Sequence, residues 1–339
     1  MTMKRVTSID VAKRAGVSQS TVSRVFSGKS SYIAEKTRKK VLRVSEELGY
    51  TPNAIARMMS SRQTNIIGIV MANITSPFYP YVLEKFLQRF QEIGRNALMF
   101  TAAPNQEIDD MLPLIFQHRV DALIITSATL SSEMAEACAK HGTPVILFNR
   151  YVTGAPASAV CADNVEGGRR IADLLLDTGH ERLAYIAGSV NTSTNNDREK
   201  GYTDRLTERG YTHLQRAQAN FSYETGFQAA TTLLKTKHAP DAIFSANDIM
   251  AIGAIDAARS LHLRVPDDVS IIGYDNIPMS AWASYNLTTF SQEVDAMIDE
   301  TLNILSNKLE QPDSPPVISL VLGRLIARGS VRGVHPADS

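Results

Sequence analysis

Cysteine is nearly absent. Cys138 and Cys161 are the only two, and they form no metal-ligand spacing. A disulfide framework is excluded, and both thiols are expected to behave as small core residues in a reducing compartment. The seven histidines, His118, His141, His180, His213, His238, His262 and His335, show no HxH or HxxxH spacing, so no metal site is expected. No apolar run approaches the ~20 residues of a membrane span. The opening residues lack the apolar stretch of a secretory signal. A soluble, cytoplasmic protein is the expectation. Catalytic signatures are missing too. There is no GxSxG, no P-loop, no HExxH and no GxGxxG behind a strand, so neither an enzyme nor a bound cofactor is expected.

What is present divides the chain. At 339 residues and 44% apolar content it is too long for one ordinary domain and can bury a sizeable core. Its net charge of zero conceals a split. Residues 1–62 hold 13 Lys and Arg against 4 Asp and Glu, a net +9, so the remainder carries −9. A small basic head on a larger acidic body points to a nucleic-acid-binding module fused to something else.

The head has a pattern to match. Residues 7–26 read TSIDVAKRAGVSQSTVSRVF. Thr7 and Asp10 make a capping box for a first helix, in which Ile9, Val11 and Ala12 supply apolar positions. Gly16 stands where that helix must stop and the chain must turn. Ser18 caps a second helix with Val22 and Val25 inward, which leaves Gln19, Ser20, Ser23 and Arg24 outward. Such a polar face suits a DNA major groove. A third helix is expected from Ala34 to Leu48, with Val41, Leu42, Val44, Ser45 and Leu48 inside and Gly49 as its stop. Thr51 and Pro52 then open a helix of about seven residues, too short to be stable alone in water. DNA or a partner subunit would have to pack on it.

From residue 64 on, short apolar runs alternate with amphipathic stretches. Runs at 66–71, 97–100, 122–126, 145–148, 159–162, 183–187, 242–244 and 270–274 read as strands. The stretches 81–93, 108–118, 132–141, 166–178, 225–234, 248–260 and 293–308 read as helices. Repeated strand–helix units predict parallel sheets covered on both faces, and their number predicts two sheets with a cleft between. Ligands of such sheets bind beyond the carboxyl ends of the strands. That rule picks out residues 73–78, Asn149 and Arg150, Asp163 and Asn164, Asn247 and Asp248, and Asp275 and Asn276. Asn and Asp at strand ends also cap helices and build turns, which is the plainer reading of any one of them.

The motifs DVAKRAGVSQSTVSRV, TRKKV at 37–41, ELGYTPNAIAR at 47–57 and IIGIV at 66–70 occur in that order. Over nearly its whole length the chain resembles the lactose-repressor (LacI/GalR) family of bacterial transcription regulators. The resemblance implies a small all-α helix-turn-helix head (1–50) and a hinge helix with linker (51–63). It implies an α/β effector-binding and dimerisation body (64–339) of two Rossmann-like parallel-sheet subdomains of periplasmic-binding-protein type. These are placed at about 64–162 with 291–321, and 163–288 with the C-terminal end. It implies DNA contacts by Thr7, Ser18, Gln19, Ser20, Thr21, Ser23 and Arg24, and by Asn53, Ala56, Arg57 and Met59 of the hinge. Met59 would wedge into the minor groove where the family usually has leucine. Ala34 replaces a usual capping serine, at a cost of ~1 kcal/mol unless Ser30 or Ser31 takes over.

In the body the resemblance implies that Arg198 and Asp275 hold the effector and Phe221 stacks on it. Asn149 and Asn247 would add polar contacts and Phe78 a wall, while Asp163 would contact the ligand or serve the strand–helix turn. Trp282 belongs to core or interface. Asn286, where many relatives have proline, is expected to loosen the last crossover of its lobe. The implied function is a repressor whose affinity for a palindromic operator is set by a small molecule. That molecule would be a sugar, sugar acid or sugar phosphate, or alternatively a purine stacked on Phe221. A sugar-binding protein without regulation, and DNA binding without sequence preference, are the weaker alternatives. No leucine heptads follow RLIARGSV, so a homodimer is expected rather than a tail-joined tetramer.

Overall fold

Thr7 starts the first helix as its sequence demands. In the computed structural model its hydroxyl donates to Asp10 Oδ2 at 2.7 Å, its backbone N–H reaches the same oxygen at 2.9 Å, and it accepts from the Asp10 N–H at 3.4 Å. The structure describes residues 6–26, 33–51, 64–71, 76–101, 108–126, 131–190 and 192–334. These fall into two units, residues 1–64 and 65–339.

Among its described residues the head has three helices, α1 (Ser8–Ala15), α2 (Gln19–Phe26) and α3 (Glu35–Glu47). Gly16 ends α1 in the left-handed region at φ 67°, where a side chain would be strained. Val11, Ala12, Ala15, Val22, Val25, Val41 and Val44 form the core, with Phe26 and Tyr50 meeting edge to face at its margin. Two expected core positions differ. Ile9 is 60% exposed and Leu42 37% exposed, because three short helices close over a narrower stripe than the apolar pattern offers. Ala34 precedes α3 and supplies no side-chain cap. Ser30, Ser31 and the hinge positions Asn53, Ala56, Arg57 and Met59 lie outside the described residues.

Among its described residues the body has two six-stranded sheets. The first joins β1 (Ile66–Met71), β2 (Asn96–Thr101), β3 (Ala122–Thr126), β4 (Val145–Phe148), β5 (Ser158–Ala162) and β11 (Ile318–Val321), in the order β2-β1-β3-β4-β5-β11. The second joins β6 (Leu183–Ala187), β7 (Gln215–Gln218), β8 (Ala242–Ser245), β9 (Ser270–Asp275), β10 (Thr288–Ser291) and β12 (Arg324–Ile326), in the order β7-β6-β8-β9-β10-β12. Neighbours run parallel except β10 and β12. The chain passes between the sheets after β5, β10 and β11, giving two lobes.

The helices that cover the first sheet are α4 (Phe78–Glu92), α5 (Leu112–Gln117), α6 (Ser132–Lys140) and α11 (Val294–Glu310). The second is flanked by α7 (Asn164–Asp177), α8 (Ser193–Glu208), α9 (Tyr223–Leu234) and α10 (Asp248–Ser260). In the first sheet Ile67, Ile69, Ile124, Ile146 and Phe148 enter one apolar cluster and Val70, Leu123, Ile125 and Leu147 the other. That period of two, buried on both faces, is why these strands read as unbroken apolar runs. Cys138 and Cys161 are free and buried in the second cluster, where burial pushes their thiols up to about 11 and about 12.

Four strands and one helix were not among the sequence expectations: β7, β10, β11, β12 and α8. Asn286 also differs. It donates its N–H to Trp282 O at 2.7 Å and accepts from Gly329 N–H at 2.9 Å, at φ 43°. Proline has no N–H to give, so asparagine ties this segment down rather than loosening it.

Candidate functional site

On the head, Gln19, Ser20, Ser23 and Arg24 are exposed along α2. The hydroxyl of Ser18 accepts from the Thr21 N–H at 3.2 Å and meets the Thr21 and Ser20 hydroxyls, each at 2.8 Å. Thr21 is thereby half-buried as part of the cap. Gln19 donates to Ser8 Oγ at 3.2 Å, so its amide is steadied by α1. The result is a short helix offering one guanidinium, one amide and two serine hydroxyls on its exposed side.

In the body, a cleft of about 670 Å³, solvent at its mouth included, opens between the lobes. Ser76, Phe78, Tyr79, Asn149 and Arg150 line it from the first lobe. Ser189, Thr194, Arg198, Asn220, Phe221, Asn247 and Asp275 line it from the second. All but Arg198, which stands in the second turn of α8, leave the carboxyl end of a strand or begin the helix that follows, as the rule for open parallel sheets requires. Six of the seven positions singled out by resemblance therefore face one space. Asp163 does not: its carboxylate caps α7, accepting from the Glu166 N–H at 3.0 Å. Asn247 does both, capping α10 through Met250 N–H at 3.1 Å and lining the cleft.

The centre of the cleft is a buried ion pair. Arg198 is 2% exposed and its Nη2 donates to Asp275 Oδ1 at 3.1 Å. Its Nε donates to Asn164 Oδ1 at 2.8 Å and its Nη1 to the Ala246 carbonyl at 2.5 Å. The guanidinium lies 3.7 Å over the Tyr274 ring. Gln292, on the crossover after β10, donates to the same Asp275 oxygen at 2.7 Å. Burial holds the Asp275 carboxyl above the usual range, against the opposing pull of Arg198. Beneath it, Asp248 is fully buried and accepts from Ile277 N–H at 2.9 Å and from Ser280 and Thr289 hydroxyls, each at 2.6 Å. Burial, with the Asp275 charge adding, pushes it up to about 7.

Three cleft residues have strained backbone. Asn149 and Phe221 both sit at φ 67° and Asp275 at φ 113°. Non-glycine residues occupy that region only where surrounding packing compels it, and such residues gather at ligand sites. Gly188 leaves room for Phe221: a Cβ there would fall 2.1 Å from the tip of the ring. Sequence reasoning missed Gly188, Ser189, Thr194, Asn220 and Gln292. Ser189 follows β6, which the sequence showed as an apolar run, so the strand-end rule could have found it; Asn220 follows β7, whose QRAQ sequence offers no such run. Gln292 carried no local signal. Among the described residues no His, Cys, Asp and Glu cluster could hold a metal, and no helix is long and apolar enough to cross a membrane.

The comparisons with known proteins agree with this geometry. The model for bacterial regulatory proteins of the lacI family matches residues 7–53. The model for the periplasmic binding protein-like domain matches residues 172–331. The HTH-type transcriptional regulator DegA of Bacillus subtilis (strain 168) is 35% identical over 300 residues, 86% of this chain and 88% of its own. The lac repressor dimer bound to operator and the anti-inducer ONPF superposes with a TM-score of 0.84 at 26% identity, covering 96% of this chain and 99% of that one. The transcriptional regulator CelR in complex with cellobiose gives 0.73 at 28% identity over 96% of this chain and 100% of its own. The chain belongs to the lacI family of bacterial regulatory proteins and is a DNA-binding transcription regulator with an effector-binding body.

Proposed function

We propose that the chain acts as a homodimeric repressor on a palindromic operator, and that a small hydroxyl-rich ligand in the cleft sets its grip on DNA. Two identical heads need two half-sites, and the two-fold axis of a dimer makes those half-sites a palindrome. Gln19, Ser20 and Arg24 would read base edges, where a bidentate arginine–guanine pair is worth ~1–3 kcal/mol of discrimination. Thr7, Ser18, Thr21 and Ser23 would meet the backbone. Asn53, Ala56, Arg57 and Met59 would act in the minor groove. Trp282, the single tryptophan, is 57% exposed, which favours interface over core.

The observation that carries the ligand reading is the buried Arg198–Asp275 pair, set beside Asn149, Asn220 and Asn247 and faced by Phe221. Such a constellation offers directed donors and acceptors to hydroxyls and an apolar face to a ring. The cellobiose-bound relative supports a sugar, sugar acid or sugar phosphate. Phe78, Tyr79 and Phe221 together also suit a flat heteroaromatic base, which is the second reading.

The test is selection of a random duplex pool by the full-length protein, repeated with panels of sugars, sugar acids, sugar phosphates and purines. A palindrome whose recovery changes with one class of ligand is expected. An enriched palindrome indifferent to every panel would refute the ligand reading. No enriched sequence under any condition would refute the operator reading.

A further inference from the structure

Tyr151 reaches across the cleft. It follows Asn149 and Arg150, which line the first lobe, just beyond β4. Its N–H donates to Ser193 Oγ at 3.1 Å, and its phenol donates to the two Asp197 oxygens at 3.2 and 3.0 Å. Ser193 and Asp197 stand one turn apart on α8 of the second lobe, and Asp197 immediately precedes Arg198. Tyr151 and Asp197 are not among the residues lining the cleft. Their bond therefore joins the two lining segments from beside the lining itself.

The electrostatics fix its direction. Burial, with the Asp197 charge adding, pushes the Tyr151 phenol up to about 12, so it keeps its proton at neutral pH. Burial holds the Asp197 carboxyl above its ordinary value. A partly buried hydroxyl–carboxylate bond is stronger than a neutral one.

We propose that Tyr151 is a positioning residue: with Ser193 and Asp197 it latches the lobes together and so sets how often the cleft is assembled before any ligand arrives. This rests on the reading of the cleft as the effector site. A ligand that needs both lobes binds in proportion to the fraction already assembled. The latch thus tunes ligand sensitivity from outside the ligand's own contacts.

The test needs neither ligand nor DNA. Spin labels are placed through Glu84→Cys on α4 and Lys200→Cys on α8, both exposed. Labelled full-length chain is diluted into unlabelled protein, so that each assembly carries one labelled copy. The distance between labels is then read by pulsed dipolar spectroscopy. Tyr151→Phe is expected to lower the ratio of latched to unlatched distances about tenfold. Asp197→Ala should match it, the double variant should fall no further, and Asp197→Asn, which keeps an accepting oxygen, should retain part of the latch. An unchanged distribution in Tyr151→Phe, or losses that add in the double variant, overturns the proposal. Failure here leaves the cleft reading intact, because the ligand panel decides that separately.

Discussion

Arg198 shows how a charged group lining the cleft is held in place without being free. Three neighbours and an aromatic face satisfy it in a nearly dry setting. Removing one partner of such a pair outright costs about 3–5 kcal/mol, since the other is left buried, charged and short of an acceptor. Asp275→Ala is thus expected to lower the urea midpoint of the body strongly. Asp275→Asn keeps an oxygen for Arg198 and Gln292 and should cost much less. Equal losses would show that charge neutralisation outweighs hydrogen bonding here.

Asp248 makes a second prediction. A carboxyl whose folded pKa lies above its unfolded value binds its proton more tightly when folded. Its stabilising contribution is full below pH 3.8 and declines as pH rises to about 7. The loss can reach about 4 kcal/mol. Asp248→Asn cannot titrate, and the Ser280 and Thr289 hydroxyls can turn to suit its amide. The stability of this variant relative to the parent should therefore rise between pH 4 and pH 7 and then level. A difference flat across that range would place the titration elsewhere. The sequence flagged Asp248 only as a residue after a strand. Its burial under Gly273, where a Cβ would fall 2.1 Å from its Oδ1, is a fact of packing.

At the scale of elements, α7 and α8 explain both what was legible and what was not. Gly168 lies so close to α8 that a Cβ would fall 2.4 Å from Arg198 O, and a Cβ on Gly201 would fall 2.0 Å from Val165 O. The two helices touch backbone to backbone. A helix packed through glycine needs few large apolar residues, and α8 reads STNNDREKGYTDRLTE with only Tyr202 and Leu206 as large buried apolar side chains. It offers no stripe for a periodicity argument to find. The same holds for β7, an edge strand reading QRAQ. Central strands such as β1 and β3 were plain because both of their faces are buried. Gly201→Ala is expected to cost about 3 kcal/mol or more and to disturb ligand binding as well, since Arg198 rides on the same helix. Chemical denaturation followed by circular dichroism checks the first claim. A midpoint equal to the parent's would mean the helices can part without cost.

For the whole molecule, the sequence showed the division of labour through charge, with +9 on the head and −9 on the body. It did not show how the lobes meet. Contacts such as Tyr151 to Asp197 join residues 46 positions apart through a bond with no local signature. A ligand can change operator affinity only by binding two states of the protein unequally. The cleft draws its groups from both lobes, so a ligand favours the arrangement in which both sets face one space. Couplings of this kind run to about 1–3 kcal/mol, a ~5–150-fold change in affinity. Asp275→Asn removes the carboxylate from the cleft and touches nothing on α2. Its operator affinity without ligand should equal the parent's, while the shift caused by the active ligand should vanish. Operator titration with and without that ligand measures both at once. A full shift in the variant would mean the ligand is held by other groups. Lost operator binding without ligand would mean that Asp275 supports the DNA-competent arrangement itself.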